Sequence, residues 1–206
     1  MRILIVSATL DEIKPSLPFL NDHQIDYLIT GVGMVATAFE LGQFLQQKSY
    51  DLLINVGIAG AFSDKMNLGD VVRVVEDQFF ELGAEDQDNY LSIEELGFGK
   101  SIYRENIPYS IENILAVFPK VNGITVNKVH GKSESIVDAK KRISESTVES
   151  MEGAGVFYAA ERLQVPVLQI RAISNYVEPR NKSNWNISLA LRQLNSRLIL
   201  FLENFV

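Results

Sequence analysis

Glu12, Glu152 and Asn175 are the polar side chains of this sequence with the strongest claim on chemistry. Glu152 sits in SMEGAGVFYAAERL, a stretch with helical spacing. Met151, Ala154 and Tyr158 fall at i, i+3 and i+7, and Val156, Ala160 and Leu163 at i, i+4 and i+7 on another face. A helix apolar on more than one face belongs inside a domain. A carboxylate at its start would cost several kcal/mol if buried alone, so partners are predicted for it. The following strand, VPVLQIRAI, runs into Arg171, Ser174 and Asn175, polar groups at its carboxyl end. In open α/β sheets ligands bind at the carboxyl ends of strands. Thr9 and Glu12 have the spacing of a capping box after the first strand. Glu12 is therefore read either as a helix cap or as an acid facing a ligand crevice, and both readings stay open.

SMEGA followed by QIRAISN resembles the MEA…RAISD signature of the nucleoside phosphorylase and methylthioadenosine nucleosidase superfamily. The resemblance implies that Met151 packs under a ribose ring and that Glu152 takes the sugar hydroxyls. It puts Asn175 at N7 and the exocyclic group of a purine, where most nucleosidases acting on adenine nucleosides have Asp. Glu12 matches the acid that activates water in the hydrolytic branch. NVGIAG resembles the small-residue turn of the family, which assigns Gly57, Ile58 and Ala59 to the ligand, with Arg171 and Ser174 beside them. Trp185 falls where family members place an aromatic ring over the ligand; the other reading is a core residue opening the last helix. Phosphorylases carry an Arg just before the small-residue turn. Asn55 stands there in this chain, and no Arg occurs between Arg2 and Arg73. A phosphate dianion needs charged donors, so water is the expected nucleophile. An Asn offers a donor and an acceptor together, which suits a 6-oxopurine leaving base. The weighed alternatives are a methylthioadenosine/S-adenosylhomocysteine nucleosidase, a 6-oxopurine nucleoside phosphorylase and a nucleoside-binding sensor without turnover.

Strand-like and helical stretches alternate along the whole chain. The reading is α/β: one domain, 1–206, with a mixed, largely parallel central sheet and helices on both faces. Strands are expected at 2–8, 26–30, 51–56, 68–80 and 121–131. Gly31-x-Gly33-x-x-Ala36 imitates a dinucleotide fingerprint but follows the second strand, so a tight turn with close helix packing stands at least level with ligand contact, and the resemblance implies that this glycine turn lies near the place where the attacking nucleophile is held. Segment 81–118 is acidic and turn-rich and reads as a surface insertion, with a large 5′ substituent as something it could cover. Arg104 and Lys132 are guesses for a cation serving that substituent. His130 has no assigned role.

Net charge of −7 and 47% hydrophobic residues describe an acidic globular chain with a sizeable core. An acidic surface argues against nucleic acid as a partner. The longest apolar runs are too short for a membrane span or a signal peptide, so a cytoplasmic protein is expected. There are no cysteines and two histidines, which leaves a dedicated transition-metal site with few ligands. No cofactor is expected. The partners expected are a small nucleoside and, by the resemblance, further copies of the chain.

Overall fold

A computed structural model describes residues 1–87 and 89–206. Part of the 81–118 reading, at Asp88, lies outside the described residues. The elements run β1 (Ile3–Ser7), α1 (Leu10–Ile13), α2 (Leu17–Asp22), β2 (Asp26–Ile29), α3 (Met34–Phe44), β3 (Leu52–Ala61) and β4 (Val71–Phe79). They continue with β5 (Gly83–Asp86), β6 (Asn89–Ser92), β7 (Ile102–Arg104), α4 (Glu112–Leu115), β8 (Lys120–Thr125) and α5 (Ser133–Arg142). The last four are β9 (Thr147–Ser150), α6 (Gly153–Leu163), β10 (Val167–Tyr176) and α7 (Ile187–Leu202).

The first strand shows why the sheet is covered twice. ILIVS is apolar at nearly every position, the mark of a strand buried on both faces. Ile3 and Ile5 enter a core with Ala190, Leu194 and Leu198 of α7. Leu4 and Val6 enter the opposite core with Leu41 of α3 and Val156, Phe157 and Ala160 of α6. Helices therefore flank both faces, as the alternation of elements predicts.

Pairings β1–β2, β1–β3, β3–β10, β4–β8 and β8–β9 are parallel, and β3–β9, β4–β10 and β4–β7 antiparallel. Because β10 pairs with both β3 and β4, and β3 also pairs with β9, the sheet curls into a closed ring of β3, β10, β4, β8 and β9. β1 and β2 extend outward from β3. β3 pairs with three strands along its length, β10 on one edge and β1 then β9 on the other, so its carboxyl end is the crossroads of the sheet.

Gly57, Ile58 and Ala59 do not form the expected turn but continue β3. Their backbone is paired to Arg171, Ala172 and Ile173 of β10, which holds them extended. The glycines of this stretch matter for the side chains they lack. Segment 81–118 holds the β5–β6 hairpin, β7 and α4. Among the described residues no helix is long and apolar enough to cross a membrane.

Candidate active site

Glu12 is buried, and its carboxylate is held by local chain geometry. Oε2 accepts from the Thr9 backbone N–H at 3.0 Å, from Thr9 Oγ1 at 3.2 Å and from Ser7 Oγ at 3.0 Å. The Thr9 backbone bond is the returning half of a capping box. Oε1 accepts from the Ile58 backbone N–H of β3 at 3.1 Å. Cap and crevice acid are thus one residue in one conformation. Beneath it, a Cβ on Gly57 would lie 2.7 Å from Glu12 Oε1 and 2.2 Å from Arg171 Nη1. Only glycine leaves room for both side chains there.

Arg171 is fully buried. Its Nη2 donates to Asn55 Oδ1 at 2.6 Å, and Asn55 Nδ2 donates to the Val6 carbonyl at 3.1 Å. Asn55 therefore ties three strands together below the site.

Glu152 occupies the N-cap position of α6 and is buried. Its Oε1 accepts from the Gly33 backbone N–H at 3.0 Å. Gly33 has φ +99° and ψ 150°, a conformation open essentially to glycine alone. The G-x-G turn thus aims an amide at the acid, in the way partners were predicted for it.

At the end of β10 the register with β3 slips between Ile173 and Asn175. Such a bulge re-aims side chains. Ser174 Oγ donates to Asn175 Oδ1 at 2.7 Å and lies 3.2 Å from the Ala59 carbonyl. Asn175 Nδ2 donates to the Tyr176 carbonyl at 3.0 Å. The Asn186 backbone N–H, which bonds the Ser174 carbonyl at 2.8 Å, brings the loop carrying Trp185 back over this end.

These pieces enclose one cavity of about 320 Å³. Glu12, Glu152 and Asn175 all line it. So do Ile58, Ala59, Met151, Ser174 and Trp185. That volume is in the range of small-molecule sites. Gly57 and Arg171 do not line it. Arg171 lies under Gly57, inside the protein, so its expected contact with a ligand is replaced by support of the floor.

No family model matches the chain. The chain is 33% identical over 189 residues to a futalosine hydrolase of Streptomyces coelicolor, covering 87% of this chain and 80% of that relative. The chain belongs to the futalosine hydrolase family. A second relative of that name, from Acidothermus cellulolyticus, is 33% identical over 175 residues, 82% of this chain and 71% of its own. Among solved structures, the native futalosine hydrolase of Helicobacter pylori strain 26695 superposes with a TM-score of 0.82 at 13% identity, covering 98% of this chain and 97% of that one. A 5′-methylthioadenosine/S-adenosylhomocysteine nucleosidase from Neisseria meningitidis, in complex with methylthio-immucillin-A, gives 0.81 at 14% identity over the whole of both chains. At such identities the likeness speaks for the fold, which is the nucleosidase fold expected from SMEGA and RAISN.

Two residues of this futalosine hydrolase family member enter the site in roles that its motifs did not announce. Gly33 was expected only as part of a glycine turn near the nucleophile, not as the partner of Glu152. Glu149 lines the cavity, buried, on β9. Its signal was an acid two residues before Met151, in a strand buried at every position. The guesses for a 5′ cation fail. Arg104 pairs with Glu76 at 2.5 Å on the surface and Lys132 with Glu134 at 3.5 Å, and neither lines the cavity.

Proposed function

We propose that this chain hydrolyses the N-glycosidic bond of futalosine, releasing hypoxanthine and dehypoxanthine futalosine in menaquinone biosynthesis by the futalosine route. The observation that carries this is the convergence of Glu12, Glu152 and Asn175 on one cavity. Glu12 takes a proton from the attacking water, whose oxygen bonds to C1′ as the bond from C1′ to N9 breaks. Glu152 holds the ribose hydroxyls, and those hydrogen bonds tighten as positive charge grows on the sugar. Asn175 donates a hydrogen bond to the departing base, which leaves with the bonding pair and takes up, by way of solvent, the proton that Glu12 removed from the water. Met151 and Trp185 supply apolar contact with sugar and base.

Water as the nucleophile is supported by the lining itself. Among the described residues it contains no Lys or Arg, and Asn55 is spent on Val6 and Arg171. The only charged groups a phosphate dianion would meet among the described lining residues are carboxylates. A homo-oligomer is part of this reading. Val32 lines the cavity at 58% exposure, and Val35 and Phe39, one turn apart on α3, are 76% and 59% exposed. An apolar strip at a cavity mouth is a surface that association would bury.

Incubation with futalosine, methylthioadenosine and inosine, with and without phosphate, tests the proposal by the base released. Hypoxanthine from futalosine without phosphate is expected. Adenine from methylthioadenosine alone, or phosphate-dependent release, would refute it. Light scattering should give a mass above the 23.1 kDa of one chain.

A further inference from the structure

Asn175, Gly60 and Glu149 form one row across three strands. Asn175 is the register partner of Gly60 on β10, and Glu149 is its partner on β9. Residues in such a row project to the same face of a sheet. All three line the cavity. Gly60 leaves the middle of the row open, and the Asn175 amide leans into that space: a Cβ on Gly60 would lie 3.0 Å from Asn175 Nδ2. The outer two Cα positions are two strand spacings apart, roughly 10 Å. A planar bicyclic base with a hydrogen bond at each edge fits that interval.

The two ends of the row differ in what they have left to offer. Asn175 Oδ1 already accepts from Ser174, and one Nδ2 hydrogen goes to the Tyr176 carbonyl. The second Nδ2 hydrogen remains, so this end donates. Glu149 is the reverse. Its Oε1 accepts from the His130 backbone N–H at 3.0 Å, and its Oε2 is bonded to His130 Nδ1. His130 is not in the lining; it grips the acid from behind, with Phe62 and Phe80 edge-on to its ring. A carboxylate has about four acceptor positions, so two remain for the cavity. This end accepts.

We propose that Glu149 is a specificity-determining residue, accepting the N1–H of a 6-oxopurine while Asn175 donates to O6 or N7. A 6-oxopurine carries a hydrogen at N1 and acceptors at O6 and N7. A 6-aminopurine presents a bare N1 lone pair to the carboxylate, so acceptor faces acceptor and the hydrogen bond at that edge is lost. The inference rests on the nucleosidase reading above and names the residue that reads its base.

The test compares futalosine with its 6-amino analogue, identical except that the 6-oxo group is an amino group. Wild-type protein should prefer the oxo compound in kcat/KM. In Glu149→Gln that preference should fall roughly 100-fold. A ratio equal to wild type, or equal loss on both compounds, would overturn the role of Glu149 and leave hydrolysis standing. Release of no base from either compound by wild-type protein would instead sink the nucleosidase reading. A measurement that needs no variant is competitive inhibition by the free bases. Hypoxanthine should inhibit about 30-fold more tightly than adenine, as one lost hydrogen bond to a charged group implies, and equal constants would refute the proposal.

Discussion

The two ends of the cavity are built by opposite means. At one end, four donors from three residues close around the Glu12 carboxylate, three of them supplied by Ser7 and Thr9 within five residues of chain. At the other, Asn175 and Glu149 face each other over Gly60 from strands that meet only in the folded sheet. The first end is fixed for one task, its acid locked by three donors at Oε2 while Oε1, with the single donor of Ile58, keeps one acceptor position for water. The second keeps unspent hydrogen-bonding capacity, a donor on one side and acceptors on the other. Rigidity suits an acid that must meet a small, constant partner such as water. Spare and complementary capacity suits the recognition of a base edge. Glu152 lies between these extremes, held by the single donor of Gly33.

The largest effect is expected where the carboxylate is most enclosed. Glu12→Gln keeps shape and hydrogen-bonding length but removes the proton acceptor. Turnover of futalosine should fall by about 10²–10⁴ in kcat, the usual value of a general base. Glu12 takes donors at both oxygens, and an amide has one oxygen. One enclosed donor must lose its partner, at about 1–3 kcal/mol, so melting should also drop by several degrees. Retained turnover with lowered melting would make Glu12 a cap alone.

A smaller loss should follow in the middle of the cavity. Gly33→Ala places a Cβ in open space, with nothing within 4 Å, so no clash arises. The cost is backbone strain of about 1–3 kcal/mol at a conformation that side chains avoid. Relief of that strain turns the N–H away from Glu152. A roughly tenfold loss in kcat/KM is expected, following one lost charge-assisted hydrogen bond. It should vanish with a substrate lacking the ribose hydroxyls. A loss of equal size on that substrate would show that Gly33 does not act through Glu152.

The same contrast explains what the sequence could disclose. Glu12 was legible because its partners are close in the chain and capping has a fixed spacing. Glu152 was legible because an acid broke an apolar helical pattern. The alternation of strand-like and helical stretches foretold a sheet covered on both faces, although not its closure, since pairing of β10 with both β3 and β4 leaves no local mark. Gly57 was assigned to a turn because NVGIAG resembles the family's small-residue turn. Its actual requirement is the space taken by Arg171 and Glu12, which no neighbour in sequence reveals. Glu149 stayed hidden for the same reason. Its meaning depends on Gly60 and Asn175, 89 and 26 positions away, and on His130, whose role the single sequence could not give.

Asp77 supplies the control for all of this, a carboxylate with no face on the cavity. It is fully buried under the start of α6, accepting from Gln169 Nε2 and from Thr125 Oγ1, each at 2.9 Å. A Cβ on Gly153 would lie 2.1 Å from its Oδ2. Burial pushes its pKa up from 3.8 to about 6, against the pull of Gln169, Thr125 and Arg171. Between these two values the native state holds a proton that the unfolded chain has lost. Stability therefore falls as pH rises from about 4 to about 6, and the whole penalty is present above that. At 1.36 kcal/mol per unit it is on the order of 3 kcal/mol. Asp77→Asn stays neutral throughout and removes that pH-dependent term. The melting temperature of the variant, measured relative to wild type, should thus climb by about 5–10 °C between pH 4 and pH 8, using roughly 2–4 °C per kcal/mol for a chain of this size. The relative change isolates Asp77, because every other group titrates in both proteins. A difference that stays flat across this range would mean that Asp77 is ionised in the native state even at the acid end. The burial of a carboxylate, as opposed to its access to a cavity, would then have no measurable consequence in this fold.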